Sequence, residues 1–236
     1  MSNRALRQRL ESLALAGVTS LPKARQPRPR ATPAPPTAAP AAPVVADRGA
    51  ALAVLQDEVA ACRRCSELAA GRTQTVFGVG PLTPRLCFFG EAPGADEDAA
   101  GVPFVGRAGQ LLTKIIEACT LSRDEVYILN VLKCRPPGNR RPEPDEVANC
   151  RPFFERQFEL LKPEFICCLG ATAAQALLET KSSMAALRKQ WFDYRGSRVI
   201  CTYHPSYLLR NPAAKRDVWE DMKRLMAAMG IDLPAR

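Results

Sequence analysis

Four short apolar runs dominate the distribution of hydrophobic positions along the chain. Each run holds four to six residues and is rich in aromatic or β-branched side chains, which predicts a buried strand. The predicted strands cover residues 85–90, 126–131, 165–169 and 199–202. Around them, apolar residues recur at helical spacing, and the predicted helices cover residues 48–62, 107–119, 145–161, 171–179 and 213–229.

The alternation of strands with helices predicts an α/β fold with a parallel sheet that is covered by helices on both faces. A polar residue lies at or just beyond the end of three of the four strands, namely Glu91, Asn130 and His204. Parallel strands place their carboxyl ends at one edge of the sheet, where open α/β sheets bind their ligands. We therefore expect these three side chains to gather at that edge.

The first 47 residues differ in composition from the rest. Residues 22–47 are rich in proline and alanine, a composition that cannot bury enough apolar surface to fold and predicts a disordered linker. Residues 1–20 carry leucines among arginines, as a short amphipathic helix does. That helix is either an appendage or a docking peptide for a protein partner. We divide the chain into a basic tail, residues 1–47, and a folded domain, residues 48–236.

The formal net charge of +9 lies mostly in this tail, because residues 1–48 carry a net +6. Overall charge is therefore weak support for nucleic-acid binding, which must rest on local basic clusters. No apolar run reaches the roughly 18 residues that span a membrane, and arginines interrupt any signal-peptide core. We expect a cytoplasmic monomer that has no contact with membranes.

Nine cysteines in a reducing compartment do not indicate a disulfide framework. Cys62 and Cys65 close the first predicted helix, and Cys134 and Cys150 flank the loop after the second strand. Four thiolates suffice for a [4Fe–4S] cluster or for tetrahedral zinc, and their spacing leaves both open. The other five lie in apolar segments and are predicted to be core residues: Cys87, Cys119, Cys167, Cys168 and Cys201.

Five arginines surround these four cysteines in the sequence: Arg63, Arg64, Arg135, Arg140 and Arg141. They either line a surface that faces phosphates or solvate the loops. The sequence leaves both interpretations open.

Five motifs together resemble a known family. They are Cys62-x2-Cys65, Gly90-Glu-Ala-Pro-Gly-Ala-Asp-Glu-Asp98, Gly101-Val-Pro-Phe-Val-Gly106, Asn130-Val-Leu-Lys-Cys134 and His204-Pro-Ser206. Over about residues 50–229 the chain resembles the family-4 uracil-DNA glycosylases, the iron–sulfur branch of that superfamily. The resemblance implies a three-layer α/β/α sandwich around a four-stranded parallel sheet. It also implies a [4Fe–4S] cluster held by Cys62, Cys65, Cys134 and Cys150.

The resemblance also places a uracil pocket in this sequence. The pocket falls on Glu91 and Ala92, on Phe104 as the stacking ring, on Asn130 as the base reader and on His204. Uracil must leave the DNA stack to reach such a pocket. Asn130 can pair with the N3–H and O4 of uracil, whereas cytosine reverses this pattern of donor and acceptor.

Cleavage of the N-glycosidic bond releases uracil as an anion while the sugar becomes oxocarbenium-like. His204 and backbone N–H groups near Glu91 and Ala92 are predicted to stabilise the charge on uracil O2. Glu91 is the candidate for orienting the attacking water and balancing the positive sugar. Glu97 is predicted to lie near uracil C5 and to obstruct the methyl group of thymine. Residues 208–209 supply either a wedge that enters the emptied stack or core leucines.

The predicted function is that of a monofunctional uracil-DNA glycosylase of base excision repair, with uracil-containing DNA as its partner. One alternative is a glycosylase of broader specificity that also accepts hypoxanthine, xanthine or thymine opposite guanine. The other is a non-catalytic iron–sulfur protein that binds DNA and keeps the fold.

Overall fold

A central sheet organises the part of the chain that the structure, a computed structural model, describes, which is residues 45–234. Its strands are β1 (Leu86–Gly90), β2 (Tyr127–Asn130), β3 (Phe165–Leu169), β4 (Trp191–Tyr194) and β5 (Ser197–Thr202). Their order across the sheet is β2-β1-β3-β5-β4. The four predicted strands are parallel to one another, as expected.

The fifth strand, β4, was not predicted. It pairs with β5 in antiparallel orientation at the edge of the sheet, so the sheet has five strands instead of four. Arg195 and Gly196 join the two strands with φ values of 51° and 87°. Positive φ at both central residues is typical of a two-residue hairpin turn. An aromatic run followed by Arg-Gly was the signal for this hairpin.

Nine helices are present within residues 45–234: α1 (Val45–Ala61), α2 (Ser66–Gly71), α3 (Ala95–Ala100), α4 (Arg107–Ala118), α5 (Pro144–Leu161), α6 (Ala171–Leu178), α7 (Met184–Leu187), α8 (Pro205–Arg210) and α9 (Lys215–Met229). The five longest helical patterns predicted from the sequence correspond to α1, α4, α5, α6 and α9. The other four helices have at most six residues, too few to establish a helical period.

The first helix, α1, begins at Val45, three residues before the predicted start at residue 48. The first helix thus includes residues that we had assigned to the tail. The division of the chain into a tail and a folded domain stays a prediction. The predicted amphipathic helix and most of the linker lie outside the described residues. Within residues 45–234, no helix is both long and apolar enough to cross a bilayer.

The strands are buried on both faces, and alternate residues enter two separate cores. In β1, Cys87 and Phe89 pack against one layer of helices, while Leu86 and Phe88 pack against the other. The first layer contains α1 and α5, and the second contains α4 and α9. This arrangement is the predicted three-layer α/β/α sandwich.

Helix α5 shows how the sequence specifies both the start of a helix and its packing against the sheet. The helix begins with Pro144 at its first turn, and the Glu146 carboxylate accepts a hydrogen bond from the Glu143 N–H, so the N-terminus is capped. Phe154 and Phe158 then place their rings 5.1 and 5.3 Å from that of Phe89. These tilted and edge-on contacts are favourable aromatic geometries that hold α5 against the sheet.

The order of the strands creates a crevice at one edge of the sheet. Strand β1 lies between β2 and β3, so the chain passes to one side of β1 and then to the other. Ligands of open α/β sheets bind where the strand order reverses in this way, outside the carboxyl ends of the strands. A cavity of about 570 Å³ beside Phe158, Lys162 and Tyr194 lies at the opposite edge.

Candidate active site at the carboxyl edge of the sheet

The last residues of β1 and β2 form the floor of the site. Gly90 and Asn130 are directly paired in the sheet, and Asn130 is only 1% exposed. The Oδ1 atom of Asn130 is buried and has no hydrogen-bond partner. A Cβ atom on Gly90 would lie 2.3 Å from that oxygen, so only glycine fits here. The site therefore presents an unsatisfied acceptor, which a ligand N–H can pair with.

Phe104 supplies one wall of the site. Its ring lies against Gly90, where a Cβ atom would come within 2.6 Å of two ring carbons. The backbone at Phe104 has a φ of 55°, a strained value for an aromatic residue. Arg123 holds this conformation, because its guanidinium donates to the carbonyls of Pro103 (2.9 Å) and Phe104 (3.1 Å).

Glu97 holds the other end of the same loop. Its carboxylate accepts hydrogen bonds from the backbone N–H groups of Val105 and Gly106 at 2.9 Å and of Gly94 at 3.0 Å. The structure thus gives Glu97 a part in positioning the Phe104 loop. The predicted contact between Glu97 and C5 of a base stays a prediction.

His204 lies opposite Phe104, and the centroids of the two rings are 5.5 Å apart. Its Nδ1 atom accepts a hydrogen bond from the Ser206 N–H at 3.1 Å, which leaves the ring proton of a neutral imidazole on Nε2. Burial, reinforced by the positive charge of Arg210, lowers the pKa of His204 to about 4. His204 is therefore neutral at neutral pH and offers an N–H donor from Nε2.

Glu91 follows Gly90 directly and is fixed by a residue that the sequence analysis missed. The Thr172 hydroxyl, in the first turn of α6, donates to the Glu91 carboxylate at 2.5 Å. This contact bridges the carboxyl ends of β1 and β3. Thr172 follows a strand that ends on glycine at the same edge, and that position was the signal for it. Ala92, partly buried, packs against the core on the α5 side.

The carboxyl ends of β1 and β2 and the segment after β5 thus lie close together at one edge of the sheet. Asn130 and Phe104 both contact Gly90, and Phe104 faces His204. The carboxylate of Glu91, which follows Gly90 in the chain, is held by the Thr172 hydroxyl at the same edge of the sheet. An unsatisfied acceptor, an aromatic face, a neutral imidazole and a carboxylate together can bind a planar base that has an N–H edge.

The four cysteines proposed as ligands form a second cluster on the α5 side of the sheet. Burial is the main cause that raises the pKa of the Cys134 thiol, and Cys62 and Cys65 add to it. Burial likewise raises the pKa of Cys150 to about 12, and Cys134 and Cys65 contribute. The four thiols therefore lie close enough to interact electrostatically. Within residues 45–234, however, no three Cys, His, Asp or Glu side chains are arranged around a single metal ion.

Comparison with known proteins decides which family this architecture belongs to. The uracil DNA glycosylase superfamily matches residues 77–223. The type-4 uracil-DNA glycosylase of Thermotoga maritima is 44% identical over 175 residues, which cover 72% of this chain and 91% of that protein. The corresponding enzymes of Archaeoglobus fulgidus and Sulfurisphaera tokodaii are 38% and 40% identical, covering 75% and 72% of this chain and 92% and 81% of their own. The chain belongs to the type-4 uracil-DNA glycosylases.

In this type-4 uracil-DNA glycosylase, two of the five arginines near the cysteines brace the loops. Arg140 forms ion pairs with Glu67 and the buried Glu146. Arg64 donates to the Asn149 carbonyl and lies over the ring of Phe153. These contacts favour a structural role for the two side chains over direct phosphate binding. The five cysteines outside the ligand set are all buried, as predicted.

Gly90 gives the first testable prediction. In a Gly90→Ala variant the added Cβ would overlap both Asn130 Oδ1 and the Phe104 ring. Overpacking of this kind costs about 1–3 kcal/mol, and its relief would displace Asn130 Oδ1 and the Phe104 ring from the base site. A loss of the same size in transition-state binding lowers kcat/KM for uracil release by about one to two orders of magnitude. Gly71→Ala is the matched control, because a Cβ there meets nothing within 4 Å. Equal rates in the two variants would show that Gly90 does not border the base site.

Proposed function

We propose that this protein removes uracil from DNA by hydrolysing the N-glycosidic bond, leaving an abasic site for base excision repair. Family membership supports this activity. The observation that carries it is the buried, unpartnered Oδ1 of Asn130 beside the Phe104 ring and His204.

Asn130 is proposed to select uracil. Its free Oδ1 can accept the N3–H of uracil, and its amide N–H groups can donate to O4. Cytosine carries an acceptor at N3 and a donor at C4, so each contact would become a clash of like groups. Because an unpaired buried polar group costs about 1–3 kcal/mol, two mismatches exclude cytosine effectively.

His204 is proposed to stabilise the leaving base. As the glycosidic bond breaks, negative charge grows on uracil O2, and the Nε2–H of the neutral imidazole can donate to that oxygen. A donor fixed in advance by the Ser206 contact needs no reorganisation during the reaction. Backbone N–H groups near Glu91 and Ala92 are proposed to act on the same oxygen.

Glu91 is proposed to orient the attacking water and to balance the positive sugar. Its carboxylate is fixed on one side by the Thr172 hydroxyl. The other carboxylate oxygen can then accept a hydrogen bond from water. Substitution of Thr172 would free the carboxylate to rotate, so we regard Thr172 as its positioning residue.

The apolar wedge is proposed to be Leu209. Leu208 is 1% exposed and packs in the core, whereas Leu209 is 45% exposed at the end of α8. His204 caps the N-terminus of this helix, so the proposed wedge and the proposed leaving-group donor lie on one short segment. Entry of Leu209 into the emptied stack would offset part of the cost of base extrusion.

The cysteine cluster is proposed to hold a [4Fe–4S] group on Cys62, Cys65, Cys134 and Cys150. The donor set fits, since it comprises four soft thiols that interact with one another. Nitrogen donors support the sulfurs, with Arg72 3.1 Å from Cys134 Sγ and Asn149 3.4 Å from Cys65 Sγ. When bound, the group would join the end of α1 to the loop after β2 and to α5.

Replacing Cys134 with serine tests this assignment. We expect loss of the absorption at about 400 nm that marks iron–sulfur clusters, together with a lower yield of folded protein. Iron content and far-ultraviolet circular dichroism would measure the two effects. Cys87→Ala is the control, because it removes a core thiol and should leave iron content unchanged. A soluble and fully active Cys134→Ser protein without iron would refute the structural role.

A labelled oligonucleotide with a single uracil tests the activity itself. Cleavage after alkali reports an abasic site, which a non-catalytic DNA-binding protein would not produce. Parallel substrates with hypoxanthine, xanthine or thymine opposite guanine test the broader specificity. We expect release of uracil and rejection of cytosine.

A further inference from the structure

Two large apolar side chains of the short helix α8 are exposed beside the candidate site. Among the residues that the structure describes, the exposed large apolar side chains are Val54, Val79, Leu82, Tyr207 and Leu209. Tyr207 and Leu209, which are 38% and 45% exposed, lie two positions apart in α8, the helix that His204 caps. Leu209 is the proposed wedge. An exposed aromatic ring so close to the base site is a second candidate for contact with DNA.

The ring of Tyr207 packs against a second aromatic ring. Its centroid lies 4.9 Å from that of Tyr203, and the two ring planes are inclined by 33°. The Arg188 guanidinium lies 4.3 Å from the centroid of the Tyr203 ring. Aromatic pairs and cation–π pairs of this kind are favourable contacts. Tyr203 therefore connects the exposed ring of Tyr207 to an arginine whose side chain is only 13% exposed.

Arg188 is itself fixed by hydrogen bonds. Its Nε donates to the carboxylate of Asp221 at 2.8 Å, and a terminal nitrogen donates to the Asp217 carbonyl at 2.8 Å. Asp221 is 4% exposed and also accepts a hydrogen bond from the hydroxyl of Thr202, the last residue of β5, at 2.7 Å. These contacts tie the tyrosine pair to the sheet. Because the Tyr207 ring is supported before a ligand arrives, binding a ligand costs little for ordering this side chain.

Basic residues follow Tyr207 closely in the chain. Arg210 ends α8, Lys215 and Arg216 begin α9, and all three are exposed. The positive charge of Arg210 also acts on His204, so this arginine lies near the candidate site. Cations that attract phosphates, together with an aromatic ring on which a base can stack, are typical of sites that bind single-stranded DNA. This combination favours a nucleotide over an apolar protein segment as the ligand of Tyr207.

We propose that Tyr207 provides a stacking surface for the DNA base next to the extruded uracil. The inference rests on the proposed function and deepens it, because it assigns a second base subsite to the substrate strand. Extrusion of uracil removes a stacking partner from the neighbouring base, and the exposed ring replaces that partner. Tyr207 does not contact the reacting bond in this arrangement, so its ring contributes to substrate binding and not to the cleavage step.

The test compares Tyr207→Phe, which keeps the aromatic ring, with Tyr207→Leu, which keeps apolar bulk without a ring. Single-turnover uracil release from a single-stranded oligonucleotide is measured at increasing protein concentration, which separates the half-saturation concentration from the maximal rate constant. From the usual strength of base–aromatic stacking, we expect the half-saturation concentration of the leucine variant to rise about tenfold. Its maximal rate constant should stay close to wild type. The phenylalanine variant should retain most of the wild-type affinity.

A modified substrate distinguishes stacking from a structural effect of the substitution. It carries abasic spacers on both sides of the uracil, so it offers no neighbouring base. On this substrate we expect the leucine variant and wild type to differ by less than about twofold, as in a double-mutant cycle. Val54→Ala, which truncates an exposed apolar side chain of α1, is the control and should match wild type on both substrates. Thermal unfolding confirms that each variant is folded.

An equal loss of affinity on both substrates would overturn the proposal, because the substitution would then act without a neighbouring base. Wild-type half-saturation in the leucine variant, or an equal loss in the phenylalanine and leucine variants, would also overturn it. Wild-type protein that releases no uracil would refute the proposed function alone. Fluorescence anisotropy would then compare the affinities of wild type and the leucine variant for the two oligonucleotides, and this comparison would still decide the stacking.

Discussion

Replacing His204 with alanine is expected to lower the rate of uracil release by about two to three orders of magnitude. Loss of one preorganised donor to a developing oxyanion typically has an effect of this size. The Nε2–H of His204 is proposed to be such a donor, because Nδ1 accepts a hydrogen bond from the Ser206 N–H. Single-turnover kinetics on a uracil oligonucleotide measure the chemical step without product release.

His204→Gln is the informative companion, since glutamine retains an N–H donor of similar reach. We expect it to recover part of the lost rate. Folding of both variants is checked by thermal unfolding, so that a slow enzyme is distinguished from an unfolded one. A wild-type rate in the His204→Ala variant would contradict the assignment of His204 to the active site.

His204 also determines how the rate of uracil release and the free energy of unfolding are expected to depend on pH. Because the pKa of His204 is lowered to about 4, its neutral form persists through the neutral range, and uracil release should not titrate with His204 between about pH 6 and 8. The unfolded chain, with an ordinary histidine pKa near 6.5, binds the proton more tightly. The free energy of unfolding should therefore decrease as the pH falls from about 6.5 towards 4. His204→Gln should lack this contribution in denaturant titrations over that range.

Changing Asn130 to aspartate is the second substitution with a large expected effect. The change removes the amide donor that is proposed to pair with uracil O4 and places a carboxylate at a position that is 1% exposed. Each unpaired polar group costs about 1–3 kcal/mol. We therefore expect kcat/KM for uracil release to fall by about tenfold to a hundredfold. The added charge also opposes the anion that forms on the leaving base.

Asn139→Asp is the matched control for this change. It makes the same chemical substitution at an exposed loop position where φ is 55°, which aspartate tolerates. We expect uracil release close to that of the unaltered protein. Equal activity of the Asn130 and Asn139 variants would contradict the assignment of Asn130 as the base reader.

Much of the fold could be predicted from the sequence because its signals are local. The apolar runs at 165–169 and 199–202 and the helical period of α4 depend on near neighbours, so their positions were found within a few residues. The hairpin strand β4 was missed because it is half-exposed and lies at the edge, where the hydrophobic pattern is weak. The start of α1 was misplaced because helix ends depend on capping contacts more than on periodicity.

The residues of the candidate site likewise fall into those that the sequence could predict and those that it could not. Asn130, His204 and Glu91 could be named from the sequence because each lies at or just beyond the end of a predicted strand within a recognisable motif. Thr172 and Arg123 act on groups 81 and 19–20 residues away. The position of Thr172 after β3 indicates the edge of the sheet at which it lies, but no local pattern indicates its partner or that of Arg123. The part that Glu97 has in the Phe104 loop was hidden for the same reason.

The sequence by itself determined the α/β class, the family and the residue types that can do the chemistry, because these depend on composition, spacing and motif order. Only the tertiary structure decided that Asn130 keeps an unpaired buried acceptor, that His204 is neutral and that Lys133 is buried against two backbone carbonyls. Each of these properties arises from desolvation and from contacts between segments distant in the chain. Solvent exclusion of this kind exists only once the layers have packed.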